Sequence, residues 1–142
     1  MVLCDLFRGE STVSSPTSRT LELLRKEGWT AQVVERWNPH SKTRLDLFGG
    51  IDVLACKPLE GLHMISGRNV LGVQACAGAS HSCRKAKLLS EKKMAIWLAA
   101  GGRLEVWSWS KRGPRGKRKT WTVRREPITF ANYVARETEA TG

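Results

Sequence analysis

Two short apolar runs each carry one polar side chain that is able to bind a metal ion. Asp52 stands in the run IDVLAC at 51–56, and Gln74 stands in the run VLGVQACA at 70–77. An isolated carboxylate in an apolar setting is very costly, so Asp52 requires a cation, a metal ion or strong hydrogen-bond donors. The carbonyl oxygen of a glutamine binds the same hard cations. If the two runs form neighbouring strands, the two side chains lie side by side.

The segment after the second run offers a lysine to this pair. Residues 82–100 predict one helix whose apolar face also carries Lys85. That apolar face is formed by Leu88, Leu89, Ala95, Ile96 and Ala99. Lys87 falls well off it. The side chain of Lys85 either reaches over the strand ends toward Asp52 and Gln74 or extends its charge into solvent.

The elements that must position these residues can be predicted from the pattern of apolar residues. Helices are predicted over 18–27, 82–100 and 129–137, and strands over 30–37, 51–56, 70–77, 103–110 and 120–126. Residues 40–44 are a basic loop, and Pro127 is expected to end the last strand. This order, α-β-β-β-α-β-β-α, predicts an α/β (α+β) protein with a central mixed sheet flanked by helices. We expect one domain over 18–142, preceded by a polar arm over 1–17.

The charge balance favours a polyanionic partner. The chain has 24 lysines and arginines against 13 acidic residues, a net charge of +11. Such an excess is typical of proteins that bind nucleic acid, so we expect a nucleic acid, ahead of a membrane surface, as the partner. Lys42 and Arg44 precede the Asp52 run on a loop. The turn at 111–119 is either a second phosphate-binding surface or a solvated hairpin tip.

Three stretches of the sequence resemble a known family. The stretches DLFGGIDVLA, NVLGVQACAGASHSCRKAKLL and WLAAGGRLEVWSW resemble small phage nucleases of the Holliday-junction-resolvase-like type, within the PD-(D/E)xK nuclease superfamily. The resemblance covers about residues 19–126. It implies a restriction-endonuclease-like α-β-β-β-α-β core with an added strand and helix. It also implies a DNA endonuclease that depends on Mg²⁺ or Mn²⁺, that acts on branched DNA and that forms a homodimer.

The resemblance assigns roles residue by residue. Asp52 matches the metal-binding aspartate, and Gln74 stands where the family has its second metal-binding acid. Cys76 stands where the catalytic lysine usually stands, and it is unable to supply that charge. Because lysines in this superfamily also occur on the following helix, Lys85 is the first candidate for the missing cation and Lys87 the second.

Two further acids are candidates for the missing carboxylate. Glu22 lies in the first predicted helix, where the superfamily often places a glutamate. Asp46 precedes the LFGG stretch and is either a site residue or a cap of that turn. The residues that we expect to touch DNA are Lys42, Arg44, Arg84, Lys87, Arg112, Arg115, Lys117 and Arg118.

Other interpretations remain open at this point. A nuclease fold that binds DNA without cutting it would fit the Gln74 and Cys76 departures. Cys76, His81 and Cys83, with Cys56 and His63 nearby, alternatively form a zinc site in a DNA-binding module. Trp107 and Trp109 either stack on bases or pack in the core, and Trp37 and Trp97 are assigned to the core. No apolar run is long enough to cross a membrane, and a cytoplasmic location with reduced cysteines is expected.

Overall fold

The computed structural model describes residues 14–59 and 69–140, without the side chains of 135–138 and 140. Its helices are α1 Pro16–Lys26, α2 His81–Ser90, α3 Lys92–Ala99 and α4 Phe130–Ala140, with a short 3-10 turn at Gly78–Ser80 before α2. Its strands are β1 Thr30–Val33, β2 Arg36–Asn38, β3 Thr43–Leu45, β4 Val53–Cys56, β5 Val70–Ala77, β6 Arg103–Arg112 and β7 Thr120–Ile128.

The main sheet has five strands in the order β1-β4-β5-β6-β7. The β5 and β6 strands run parallel, with Gln74 beside Val106, and every other neighbouring pair is antiparallel. A parallel pair requires a crossover connection, which α2 and α3 supply. The predicted mixed α/β architecture is therefore confirmed.

The sheet buries both of its faces. On one face α1 packs through Leu24 against Val53, Val73 and the rings of Trp107 and Trp109. On the other face α2 and α3 pack against the sheet, in a cluster that comprises Ile51, Cys76, Leu88, Met94, Leu104, Val106 and Ile128. Of the two alternatives for Trp107 and Trp109, packing in the core agrees with this arrangement. No helix of the described residues has the length and the apolar character needed to cross a membrane.

Three predicted boundaries are wrong. The predicted helix over 82–100 is two helices, because Glu91 adopts an extended backbone and its side chain caps α3 by accepting from the amide of Lys93. The predicted strand over 30–37 is β1 and β2, and the loop at 40–44 runs into β3, which pairs with β2 as a separate hairpin. Strand β7 continues through Pro127 to Ile128, since an edge strand tolerates a proline.

Two side chains lie elsewhere than predicted. The predicted strand over 51–56 places Ile51 on the same face as Val53, because side chains two residues apart share a face, but Ile51 precedes β4 and packs in the cluster on the opposite face. Trp37 was assigned to the core, but 58% of it is exposed, since it lies on the separate β2–β3 hairpin. The arm predicted over 1–17 lies mostly outside the described residues, and α1 already begins at Pro16.

Candidate metal centre and nucleic-acid interface

Three carboxylates converge at the edge of the sheet. Glu35 follows β1, Asp46 follows β3 and Asp52 immediately precedes β4. One carboxylate oxygen from each lies within 4.8 Å of those of the other two. Asp52 is buried, and the other two are half-buried. We call these three residues the acidic cluster.

A tight turn brings Asp46 back to Asp52. The amide of Gly49 donates to the carbonyl of Asp46 at 3.1 Å, and Leu47 pairs with Ile51 as a single β-bridge. Gly50 has no room for a side chain, because a Cβ there would lie 2.5 Å from Cδ2 of Leu88 and 2.8 Å from Sδ of Met94. The turn is thus fixed against α2 and α3, and this contact sets the spacing of the two carboxylates.

The carboxylate of Asp52 is held from β5. It accepts from the backbone amide of Ala75 at 3.0 Å and from Nε2 of Gln74. Gln74 is 1% exposed, and its Oε1 has no hydrogen-bond partner among the described residues. A buried polar atom without a partner is uncommon and marks a place where a water or an ion belongs. The sequence-based expectation that Asp52 and Gln74 lie side by side agrees with this geometry.

The pKa values of Asp46 and Asp52 are shifted in opposite directions. Burial, and then the hydrogen bond and charge of Asp46, raise the pKa of Asp52 to about 8. For Asp46, burial alone would raise the pKa, but hydrogen bonds with Asp52 and Lys87 outweigh it and leave that pKa below 3.8. Of these two acids, Asp52 is therefore the one that favours the protonated form and Asp46 is the one that favours the charged form.

Two cations pair with Asp46 and Glu35, the two half-buried acids of the cluster, which we call its outer acids. The Nζ of Lys87 lies 2.8 Å from Oδ2 of Asp46, and a guanidinium nitrogen of Arg44 lies 3.2 Å from Oε1 of Glu35. The expectation that Lys85 reaches Asp52 is wrong in its geometry. Its Nζ instead lies 2.9 Å from Oε2 of Glu126 on β7, because Lys85 lies one helical turn after His81, whose Nε2 also contacts Glu126.

Glu22 and Cys76 do not join the acidic cluster. Glu22 is exposed on α1, in a groove with Trp109 on the opposite face of the sheet from Gln74. Cys76 is buried in the cluster under α2, and burial raises the pKa of its thiol.

The predicted DNA-binding residues form two surfaces. Lys42 lies between β2 and β3, and Arg84 and Lys87 lie on α2 near Asp46, whose pKa both help to lower. The second surface comprises Arg112, the last residue of β6, and the exposed connection from β6 to β7, which carries Arg115, Lys117 and Arg118. Arg112 also donates to the hydroxyl of Ser110 at 3.3 Å.

The zinc interpretation finds no support in the described residues. Within them, the only group of three metal-ligating side chains is the acidic cluster. Cys83 and Cys56 are exposed, whereas His81 is buried with Nδ1 at 2.7 Å from the hydroxyl of Ser108. His63 lies outside the described residues.

Sequence reasoning missed Glu35. The residue lies in the β-branched run 30–37, which was assigned to one strand, and no spacing links it to Asp52. Its position follows from β1 pairing with β4, which sets Val33 opposite Val53 and brings the adjoining residues of both segments together. The presence of an acid, Glu35, near the end of that run is the signal that the sequence offers. Only the strand order shows that this acid lies beside Asp52.

Comparison of the chain with known protein families, with curated proteins and with solved structures finds no match. The class of protein is therefore inferred from the mixed sheet, the acidic cluster and the charge of the chain.

Proposed function

We propose that this chain is a divalent-metal-dependent endonuclease of the PD-(D/E)xK type that hydrolyses phosphodiester bonds in DNA. The observation that carries the proposal is the acidic cluster, three converging carboxylates on a chain whose net charge is +11. Carboxylates concentrated at one point of a basic protein are suited to a metal ion, and the surrounding cations are suited to a polyanion.

The residues present fit Mg²⁺ or Mn²⁺. All the donors are hard oxygen atoms, from Glu35, Asp46, Asp52 and the amide of Gln74. Nε2 of Gln74 now faces the protonated Asp52. A half-turn rotation of the side-chain amide of Gln74 would exchange the positions of Nε2 and Oε1 and would place the unpartnered Oε1 beside Asp52. With Asp52 ionised, those two oxygens would both face a bound cation.

The neighbouring residues have defined tasks in such a site. A bound divalent ion neutralises phosphate charge and lowers the pKa of water. Asp52 and Asp46 would hold the ion, and Gln74 would complete the protein ligands with a neutral oxygen. Lys87, which pairs with Asp46, would stabilise the charge that develops on a phosphate bound at the ion. Arg44 would bind an adjacent phosphate.

A second candidate function is a nuclease fold that binds DNA without cutting it. Gln74 and Cys76 favour this candidate, because they remove one negative charge and one positive charge from the resembled site. The raised pKa of Asp52 favours it too, since protonation of Asp52 would leave the cluster with less negative charge than three free carboxylates.

A cleavage assay separates the two candidates. The protein is incubated with a four-way junction, a duplex and a single strand of DNA, each with Mg²⁺ or Mn²⁺. Asp52→Asn, purified in parallel, is the matched control because it keeps the size and the hydrogen-bonding capacity of the protonated side chain. We expect the parent protein to cut at least one substrate and the variant to bind without cutting. Binding without cleavage by both proteins would favour the second candidate.

A further inference from the structure

A wide groove lies directly beside the acidic cluster. It has a volume of about 930 Å³, within the range of about 300–1,000 Å³ of ligand clefts. Asp46 is one of the residues that line the groove, and the β2–β3 hairpin and the turn after β3 form its walls. The residues that define its chemistry are Arg36, Arg44, Lys87, Lys93, Leu45 and Phe48. We call this feature the hairpin groove.

An exposed aromatic residue follows each of the two outer acids of the cluster in the sequence. Phe48 follows Asp46 by two residues and is 47% exposed, and Trp37 follows Glu35 by two residues and is 58% exposed. Trp37 is also the cross-strand neighbour of Arg44. Phe48 lines the hairpin groove, and Trp37 lies outside its lining on the hairpin that forms its wall, so that a partner bound in the groove and over its rim would cover both rings.

The backbone supplies an independent observation. Among the described residues other than glycine, only two have a positive φ, Lys42 at 51° and Phe48 at 54°. Both lie on the walls of the hairpin groove or at the tip of its hairpin. A strained conformation in a bulky residue persists where the surroundings enforce it and is concentrated at functional sites. Here the ring of Phe48 lies 6.4 Å from the ring of Trp97, centroid to centroid, and remains half-exposed rather than buried in the core.

The charges of the hairpin groove indicate a polyanion. Lys87 and Arg44 are already paired with Asp46 and Glu35. Arg36 and Lys93 form no ion pair with any carboxylate of the described residues, and both are exposed. Two available cations beside two exposed rings match a nucleotide strand, which presents a phosphate and a flat base at each step.

We propose that the hairpin groove binds unpaired nucleotides, with a base stacked on Phe48 or Trp37 and the phosphates held by Arg36 and Lys93. This inference deepens the proposed nuclease function and rests on its DNA partner. The bases of a continuous duplex already stack on each other, so the exposed rings gain little from it. Single strands, gaps and branch points present free base faces. The groove thus selects DNA in which unpaired bases adjoin the bond to be cut.

Binding without metal tests the inference separately from cleavage. Fluorescence anisotropy in EDTA at one salt concentration compares a single strand, a gapped duplex and a continuous duplex of equal length. We expect the gapped duplex to bind at least about tenfold more tightly than the continuous one. Phe48→Leu and Trp37→Leu should each weaken binding of the gapped DNA by about tenfold and change duplex binding less than twofold. Phe48→Tyr, which keeps an aromatic ring, should bind as the parent does.

The matched control is Phe130→Leu, since Phe130 is similarly exposed at 51% but lines a different cavity. Equal affinity of the parent for gapped and continuous DNA would overturn the proposal. So would a loss in Phe48→Leu and Trp37→Leu no larger than in the control. If Phe48→Leu fails to fold, its duplex binding falls as well, and Trp37→Leu then decides. None of these outcomes depends on whether the protein cuts DNA.

Discussion

Lys87 and Asp46 form an ion pair 2.8 Å long, which attaches α2 to the acidic cluster. Lys85 lies two residues earlier on the same helix and contacts Glu126 on β7 instead, at 2.9 Å. The two lysines thus differ in their surroundings although both lie near the carboxyl end of β5. This difference allows one to serve as the control for the other.

Lys87→Met should reduce DNA cleavage by about 10²- to 10³-fold, the usual effect of removing one group that stabilises developing charge in a transition state. Lys85→Met should reduce it by less than about tenfold, because its ion pair lies away from Asp52. The single-turnover rate with saturating Mn²⁺ is the measurement. Equal losses in the two variants would contradict the role given to Lys87.

The free energy of unfolding of the metal-free protein should decrease as the pH rises from about 4 to about 8. The folded state raises the pKa of Asp52 to about 8 from 3.8, so the folded protein binds a proton that the unfolded chain releases in this interval. Its contribution is fully present below the unfolded pKa and is lost as the pH passes through the folded one. A difference of one pKa unit between the folded and unfolded states corresponds to about 1.4 kcal/mol.

Asp52→Asn should remove this pH dependence. The asparagine side chain keeps the acceptor for the amide of Ala75 and presents a donor to Asp46, as the protonated aspartic acid does. Urea unfolding in EDTA at pH 5, 6, 7 and 8 gives the difference between the two proteins, in which the other titrating groups cancel. If the difference in the free energy of unfolding between the two proteins is constant from pH 5 to pH 8, Asp52 has an ordinary pKa.

The central strands could be predicted because their residues are buried on both faces. Strand β5 coincides with the predicted run 70–77, and all but its two end residues are buried. The β2–β3 hairpin has three residues in each strand, five of the six exposed, and so has no apolar pattern. The pairing of Arg44 with Glu35 was therefore beyond reach from the sequence.

The residues of the candidate site could be predicted only where the alternation of side chains along a strand determines their positions. Asp52 and Gln74 followed from alternation in two adjacent strands. The face predicted for one continuous helix fails at Glu91, where the backbone is extended, and Lys85, which precedes this break, pairs with Glu126 on β7. After that break the face changes, so that Leu88 is fully buried and Ile96 is 67% exposed. Long-range packing around a local break is not encoded in periodicity.

Gln74→Glu should strengthen Mn²⁺ binding by at least about tenfold, because it adds a second buried carboxylate beside Asp52 and replaces a neutral ligand. The same change should destabilise the metal-free protein, since two buried acids repel each other. Calorimetric titration with Mn²⁺ above pH 8 measures the affinity. The control Gln74→Met fills the same space without an oxygen and should weaken the binding. An unchanged affinity in Gln74→Glu would place the metal away from this side chain.

Arg115→Ala with Lys117→Ala should weaken DNA binding equally for all DNA structures. Both residues are exposed on the connection between β6 and β7, which contributes nothing to the buried clusters. If each contacts one phosphate, the slope of log affinity against log salt should become less negative by about 2 in total. The melting temperature should not change. Lys26→Ala with Lys92→Ala removes the same charge from exposed helix positions and should leave the slope nearly unchanged. Equal slopes for the two double variants would mean that the connection acts only through net charge.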